Sequence, residues 1–293
     1  EIAVGAIRIG ARATLGIRAG VGRDTEVGRD ALLESLSWLD EGARIPDGER
    51  WDGVPARPAG RAPAPPDGAA TRLSVTAHAS LVMTMRTALR AVRELPLLAL
   101  AVLAAHGVGA DGAAIAGWLR APSFEPRMIW IVFGVLVARV PLSLVVEALI
   151  VRALSPSRPM VIARCSFAYA RVWLAAERVD GASTWLSGTL LWPVWLRLAG
   201  MRIGRNCEVS TLIDLVPSLV EIGDETFLAD GIYLGGPRVQ AGRVVLERTV
   251  LRRDTFVGNH AIVPAGAHLP ADVLIGVCTV ADPRVVRGAG VWF

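Results

Sequence analysis

The sequence predicts a mainly β protein with membrane α-helices: two left-handed parallel β-helix segments of hexapeptide repeats, separated by a transmembrane helical hairpin and interfacial helices. Three observations predict it. Ile9, Leu15, Val21, Val27, Leu33, Leu39 and Ile45 recur every six residues, a spacing no α-helix has. The spacing returns at Val245, Leu251, Val257, Val263, Leu269 and Ile275. Between the two blocks lie apolar runs from Leu95 to Leu119 and from Met128 to Leu154.

A six-residue repeat describes one side of a triangular prism, a short strand whose aliphatic residue points inward. Gly10, Gly16, Gly22 and Gly28 follow the aliphatic positions, and Ala13, Ala19, Thr25, Ala31, Ser37 and Ala43 stand four places after them. These small residues are expected at the corners, where turns must be tight. Successive coils then stack at about 4.8 Å. The first β-helix takes 1–57, truncated at its start, and closes with Gly53-Val54-Pro55-Ala56. Residues 58–72, rich in Pro, Ala and Gly, read as an unpacked linker.

Residues 73–200 form the expected membrane region. Each apolar run, about 95–119 and 128–154, exceeds the roughly 20 residues that cross a hydrocarbon core. His106 and Asp111 interrupt the first run, either as an intramembrane polar site or as a break in the helix. Arg139 and Glu147 in the second are too far apart to pair along one helix, so they face other helices or snorkel. Arg86, Arg90 and Arg93 before the hairpin, with Arg152, Arg158 and Arg164 after it, outnumber Arg120 and Arg127 between its arms. The positive-inside rule places both β-helices on the cytoplasmic side of a multi-pass cell-membrane protein. Residues 160–178, with Arg164, Arg171 and Arg178 every seven, read as a basic amphipathic helix on lipid. Residues 184–199, with Trp185, Trp192 and Trp195, read as an interfacial helix.

The second β-helix takes 201–293, truncated at its end, with loops expected to leave the prism near Pro217 and from Gly236 to Arg243. Arg253-Asp254-Thr255-Phe256-Val257-Gly258 echoes Arg23-Asp24-Thr25-Glu26-Val27-Gly28, so the two β-helices read as copies. Both ends cut a repeat, and the chain is expected to be a fragment. All 31 positive side chains are Arg, the net charge is +4 and the mean hydropathy +0.45, which fits membrane lipid as a partner and excludes a nucleic-acid binder. Cys165, Cys207 and Cys278 form no ligand pattern and read as reduced core thiols. No His/Cys/Asp cluster suggests a metal, and the glycines obey the repeat rather than a phosphate loop.

The order of β-helix, linker, hairpin and aromatic stretch, then "LRLAGMRIGRNCEV", resembles the C-terminal region of membrane-bound nonribosomal peptide synthetases of the ε-poly-lysine synthetase type. "GDETFLADGIYLGGPRV", "FVGNHAIVPAGAHLPADVLIGV" and the closing "VWF" carry the resemblance furthest. It implies acyltransferase-like units that form amide bonds between a carrier-bound aminoacyl thioester and a free amino acid or growing peptide. It also implies carrier and adenylation domains as partners, a phosphopantetheine arm as thioester donor, no cofactor bound directly, and self-association in some form.

Such chemistry needs a base for the attacking amine and donors for the oxyanion. Of four histidines, His260 in "VGNHA" is the first candidate base, and Asn259 and Asp230 complete the candidate catalytic set. Tyr233 and His268 are candidate substrate-binding residues. The first copy has Asp30 where the second has His260, so it is either inactive or uses a carboxylate. Backbone N–H groups at Gly235, Gly236 or Gly258 are candidate oxyanion donors. Two other readings stay open: an acyl-CoA-dependent O- or N-acyltransferase, and a non-catalytic β-helix scaffold.

Overall fold

The computed structural model describes residues 4–67, 72–107, 109 and 111–293. The expected start of the first β-helix at 1–3 and the linker residues 68–71 lie outside the described residues, as do 108 and 110 of the first apolar run.

The chain is rich in short parallel strands, gathered in two stacks. In the first, strands follow three ladders in turn, so each residue pairs with one 18 positions on. Ile9 lies beside Val27 and Val27 beside Ile45, Leu15 beside Leu33, and Val21 beside Leu39. The aliphatic residues point into a shared interior, where Val27, Leu33, Leu39 and Ile45 are almost fully buried. The second stack has the same three-ladder order. One ladder runs through Val209, Leu228, Val257, Ile275 and Trp292, and another carries Ile203, Ile222, Leu251 and Leu269.

The corners differ from expectation in an instructive way. The left-handed backbone falls on Arg12, Arg18, Asp24, Asp30 and Leu36, then on Gly42 and Gly48, each three places after an inward aliphatic residue. Gly10 and Gly28 serve closeness instead. A Cβ on Gly10 would sit 2.6 Å from the Arg29 nitrogen of the next coil, so the coils stack this tightly only without one. The small residues Thr25, Ala31 and Ser37 are buried. Thr25 donates its hydroxyl hydrogen to the Gly22 carbonyl (2.8 Å), and Thr255 repeats this with Arg252 (2.7 Å).

After the first stack the chain doubles back. Strand Ala56–Arg61 runs antiparallel to Glu49–Gly53, so the first residues of the expected linker are paired, not free. Then come helices α1 (Val75–Gly107), α2 (Gly112–Arg120) and α3 (Pro126–Leu154). The first apolar run is not one helix. α1 begins twenty residues before Leu95 and ends at Gly107, and α2 turns away from it by 105°. Asp111 caps α2, accepting from the Ala114 N–H at 2.7 Å. α3 is the one described helix long and apolar enough to cross a membrane by itself, and none of its most apolar window is buried within the protein.

The segment from 160 to 199, expected to hold two lipid-surface helices, packs in part on protein. Met160–Ala163 is a strand, antiparallel to Arg243–Leu246, which pairs in turn with Arg238–Gln240. The expected Gly236–Arg243 loop is therefore largely this hairpin, and Val245 belongs to it instead of the parallel ladders. α4 (Phe167–Leu186) buries Leu174, Ala175, Val179 and Ala182. Arg178, expected on lipid, is buried beside Glu147 of α3 (3.6 Å), which also accepts from Arg93 of α1 (2.9 Å). Arg139 of α3 reaches Glu94 of α1 at 3.8 Å. α5 (Leu191–Leu198) buries Trp192, Trp195 and Leu196, whose core is continuous with that of the second stack. The Trp192 indole N–H donates to the Ser210 carbonyl (3.0 Å) and that of Trp195 to Leu144 (2.8 Å). Trp185, Leu190, Leu191 and Val194 remain exposed beside them. The three cysteines are free thiols, but Cys278 sits exposed on a corner and is not a core residue.

Candidate functional site

One corner of the second stack gathers polar groups from successive coils. His260 occupies it with φ +60°, half-buried, between strands Thr255–Val257 and Ile262–Val263. One coil earlier the corner is Asp230-Gly231, and the His260 N–H donates to the Asp230 carbonyl at 2.8 Å. The imidazole lies against Gly231, where a Cβ would stand 2.4 Å from Nδ1, and Gly231 itself has φ +66°. Glycine is thus required there by space and by backbone.

Asn259 and Asp230 are tied into this column. The Asn259 Oδ1 accepts from the Asp230 N–H (3.0 Å). The Asp230 carboxylate accepts from the hydroxyl of Ser210 and from the Thr211 hydroxyl at 3.1 Å. Ser210, and after it Thr211, hold the Asp230 carboxyl below the usual carboxylate range, with the nearby imidazole helping. A carboxylate so stabilised is ionised at neutral pH and makes a weak base. Asp230 and Asn259 are thus hydrogen-bonded into the corner that carries His260. Thr211 passes the network to Ser187 at the end of α4, hydroxyl to hydroxyl at 3.0 Å.

The first stack completes the cluster. Arg18, 242 residues away in sequence, places its guanidinium Nη2 at 2.9 Å from the His260 Nδ1 and its Cζ at 5.6 Å from the centre of the Tyr233 ring. A guanidinium only donates, so Nδ1 accepts and the ring proton sits on Nε2. His260 and Tyr233 thus come together through a residue of the other stack. His268 does not join them. It is exposed on a different ladder, opposite Val250. The candidate oxyanion donors at Gly235 and Gly258 are already engaged, giving their N–H groups to Val263 (2.9 Å) and Ile275 (2.8 Å). In the first stack, Asp30 takes the corner position of His260, but it accepts from Arg12 at 2.6 and 2.5 Å, which lowers its pKa.

Reading the sequence misses Ser210, Thr211, Ser187 and Arg18. A signal for Arg18 exists in the spacing. Arg12, Arg23 and Arg29 each have a carboxylate 18 residues on (Asp30, Glu41, Asp47) and pair with it, whereas the residue 18 after Arg18 is Leu36. Among the described residues no group of three or more His, Cys, Asp or Glu is placed to hold a metal ion.

No protein-family profile matches the chain, and no solved structure matches it. The chain is similar to the curated Delta-poly-L-ornithine synthetase of Acinetobacter baumannii (strain AB307-0294), with 35% identity over 129 residues. The match covers 43% of this chain and 10% of that protein, so it spans about a tenth of the relative's length.

Proposed function

We propose that this chain is part of a membrane-anchored synthetase of amino-acid polymers, and that its second stack, completed by the first, forms amide bonds from a carrier-bound aminoacyl thioester. Each stack is read as a left-handed β-helix of the hexapeptide acyltransferase kind, in the order of domains set out above. The cluster at His260 carries the proposal: a half-buried imidazole fixed on a corner beside the hydrogen-bonded, ionised Asp230 carboxylate and in contact with Arg18 of the other stack. The resemblance to ε-poly-lysine synthetases and the similarity to a protein named as a poly-ornithine synthetase support the same class of product.

In the proposed reaction the acceptor amine attacks the thioester carbonyl carbon, the C–N bond forms, and the C–S bond breaks. His260 takes the proton the amine loses and returns it to the departing pantetheine thiolate. Asp230 and Asn259 hold the corner, and Tyr233 lines the approach. The acceptor is a free amino acid or the growing peptide.

The membrane reading rests on α3 and on the exposed apolar residues of α1, among them Leu95, Leu98, Val102 and Leu103. In it, α1 and α3 form a hairpin with both stacks on one face, the cytoplasmic one by the arginine count. Pairing of Arg139 with Glu94 offsets part of the cost of placing charge there.

The test supplies the detergent-extracted chain with a carrier domain loaded with L-ornithine, then with free L-ornithine, and follows thioester and amide by mass spectrometry. The proposal expects amide to appear as thioester is lost. Amide or ester formed from an acyl-CoA but not from the loaded carrier would replace it with the acyl-CoA reading, and no transfer from either donor would leave a scaffold.

A further inference from the structure

On the reading just given, we infer that Arg18 is the anchor for the α-carboxylate of the acceptor amino acid, supplied by the first stack to the site on the second. Its surroundings argue for an anionic ligand. Arg12, Arg23, Arg29, Arg44 and Arg50 of the first stack are each neutralised by a carboxylate in a neighbouring coil. Among the described residues no carboxylate pairs with Arg18. Leu36 stands where its partner would be, and the guanidinium instead lies over Tyr233 and donates to a neutral imidazole. A guanidinium held over an aromatic face keeps the planar fork of N–H groups that can grip a carboxylate with two parallel hydrogen bonds.

The position also links binding to chemistry. While Arg18 donates to Nδ1, the only lone pair of the neutral imidazole is occupied and His260 cannot accept a proton. A carboxylate is a stronger acceptor than an imidazole nitrogen, so an arriving amino acid draws the guanidinium to itself. Nδ1 is then free, beside the ligand whose amine must lose a proton. An acceptor without a carboxylate neither binds at Arg18 nor releases the base.

The experiment compares L-ornithine and L-lysine with their α-carboxamides as acceptors in single turnovers of the preloaded carrier, for wild type, Arg18→Gln and Arg18→Lys. The expected result is that Arg18→Gln raises the KM of the amino acids about tenfold or more, leaves the KM of the amides within about twofold and, with the guanidinium gone from Nδ1, speeds turnover of the amides, so that the preference for acid over amide collapses. Arg18→Lys restores part of it, since a lysine keeps the charge but not the fork. Calorimetric titration of the same two ligand pairs into the chain in detergent gives a reading independent of turnover. Wild type should bind the acids more tightly than the amides, and Arg18→Gln should bind both alike. Equal loss for acids and amides would make Arg18 a strut between the stacks and overturn the inference, as would no change in either. Absence of amide product from wild type counts against the proposed reaction, and calorimetry then decides the role of Arg18 alone.

Discussion

The two stacks share a strand order and a corner geometry, yet differ in what their corners do. In the first, the corner at Asp30 is closed: Arg12 fills the carboxylate, and its interior is a narrow column of Val27, Leu33, Leu39 and Ile45. In the second, the equivalent corner carries His260 on a glycine floor, and the column of Leu228, Val257 and Ile275 merges with Trp192, Trp195 and Leu196 beneath it. The two corners thus differ in partner: Asp30 pairs within its own stack, and His260 contacts an arginine of the other stack. The first stack lends the corner at His260 an arginine that, among the described residues, no carboxylate pairs with.

Four substitutions probe that difference, beginning with the largest effect. Glu147→Gln removes the partner of the buried Arg178 and of Arg93, and should lower the stability of the helix layer under the second stack by about 3–5 kcal/mol. Thermal unfolding in detergent would read it, and an unchanged midpoint would mean that Arg178 finds water or another acceptor. Leu228→Ala and Leu33→Ala are matched deletions of fully buried side chains, each costing about 2–5 kcal/mol. The comparison predicts different reach. Leu228→Ala should lower amide protection throughout the second stack and α5, whereas Leu33→Ala should loosen only the first stack in hydrogen exchange. Uniform loosening by both would show one cooperative unit.

Smallest is Asp30→Asn, which should leave activity and melting temperature at neutral pH unchanged, because the pair with Arg12 is fully exposed to solvent. The Asp30 pKa is lowered in the fold, so whatever the pair contributes is present above the unfolded value of about 4 and is lost as pH falls through the folded value. Wild type and Asp30→Asn should therefore have parallel stability curves from pH 5 to 8.

Much of the β architecture is legible because an inward aliphatic residue recurs every six residues, once in each short parallel strand of the three ladders. Leu251 to Ile275 are found by that rule alone. The same rule misassigns Val245, since a six-residue interval to Leu251 does not reveal that the hairpin ending at Leu246 pairs antiparallel with Met160–Ala163. The helices are less legible. Arg178 reads as a lipid-facing charge because its partner Glu147 lies in another helix, and Trp192 and Trp195 read as interfacial because an aromatic residue that caps a core looks the same in sequence as one that meets a headgroup. The site is half legible. His260, Asn259, Asp230 and Tyr233 follow from corner position and composition. Arg18 lies 242 residues away from the imidazole it contacts, and only its missing partner at Leu36 marks it.

The central claim is that the second stack's corner is a reaction centre and the first stack's corner is not. The most direct measurement is the rate of amide formation from a loaded carrier by wild type, His260→Ala and Asp30→Asn, with the thioester followed beside the product. The account predicts that His260→Ala leaves the carrier loaded and slows amide formation by about 10²–10⁴-fold, while Asp30→Asn matches wild type. Amide formed at the wild-type rate by His260→Ala would contradict it.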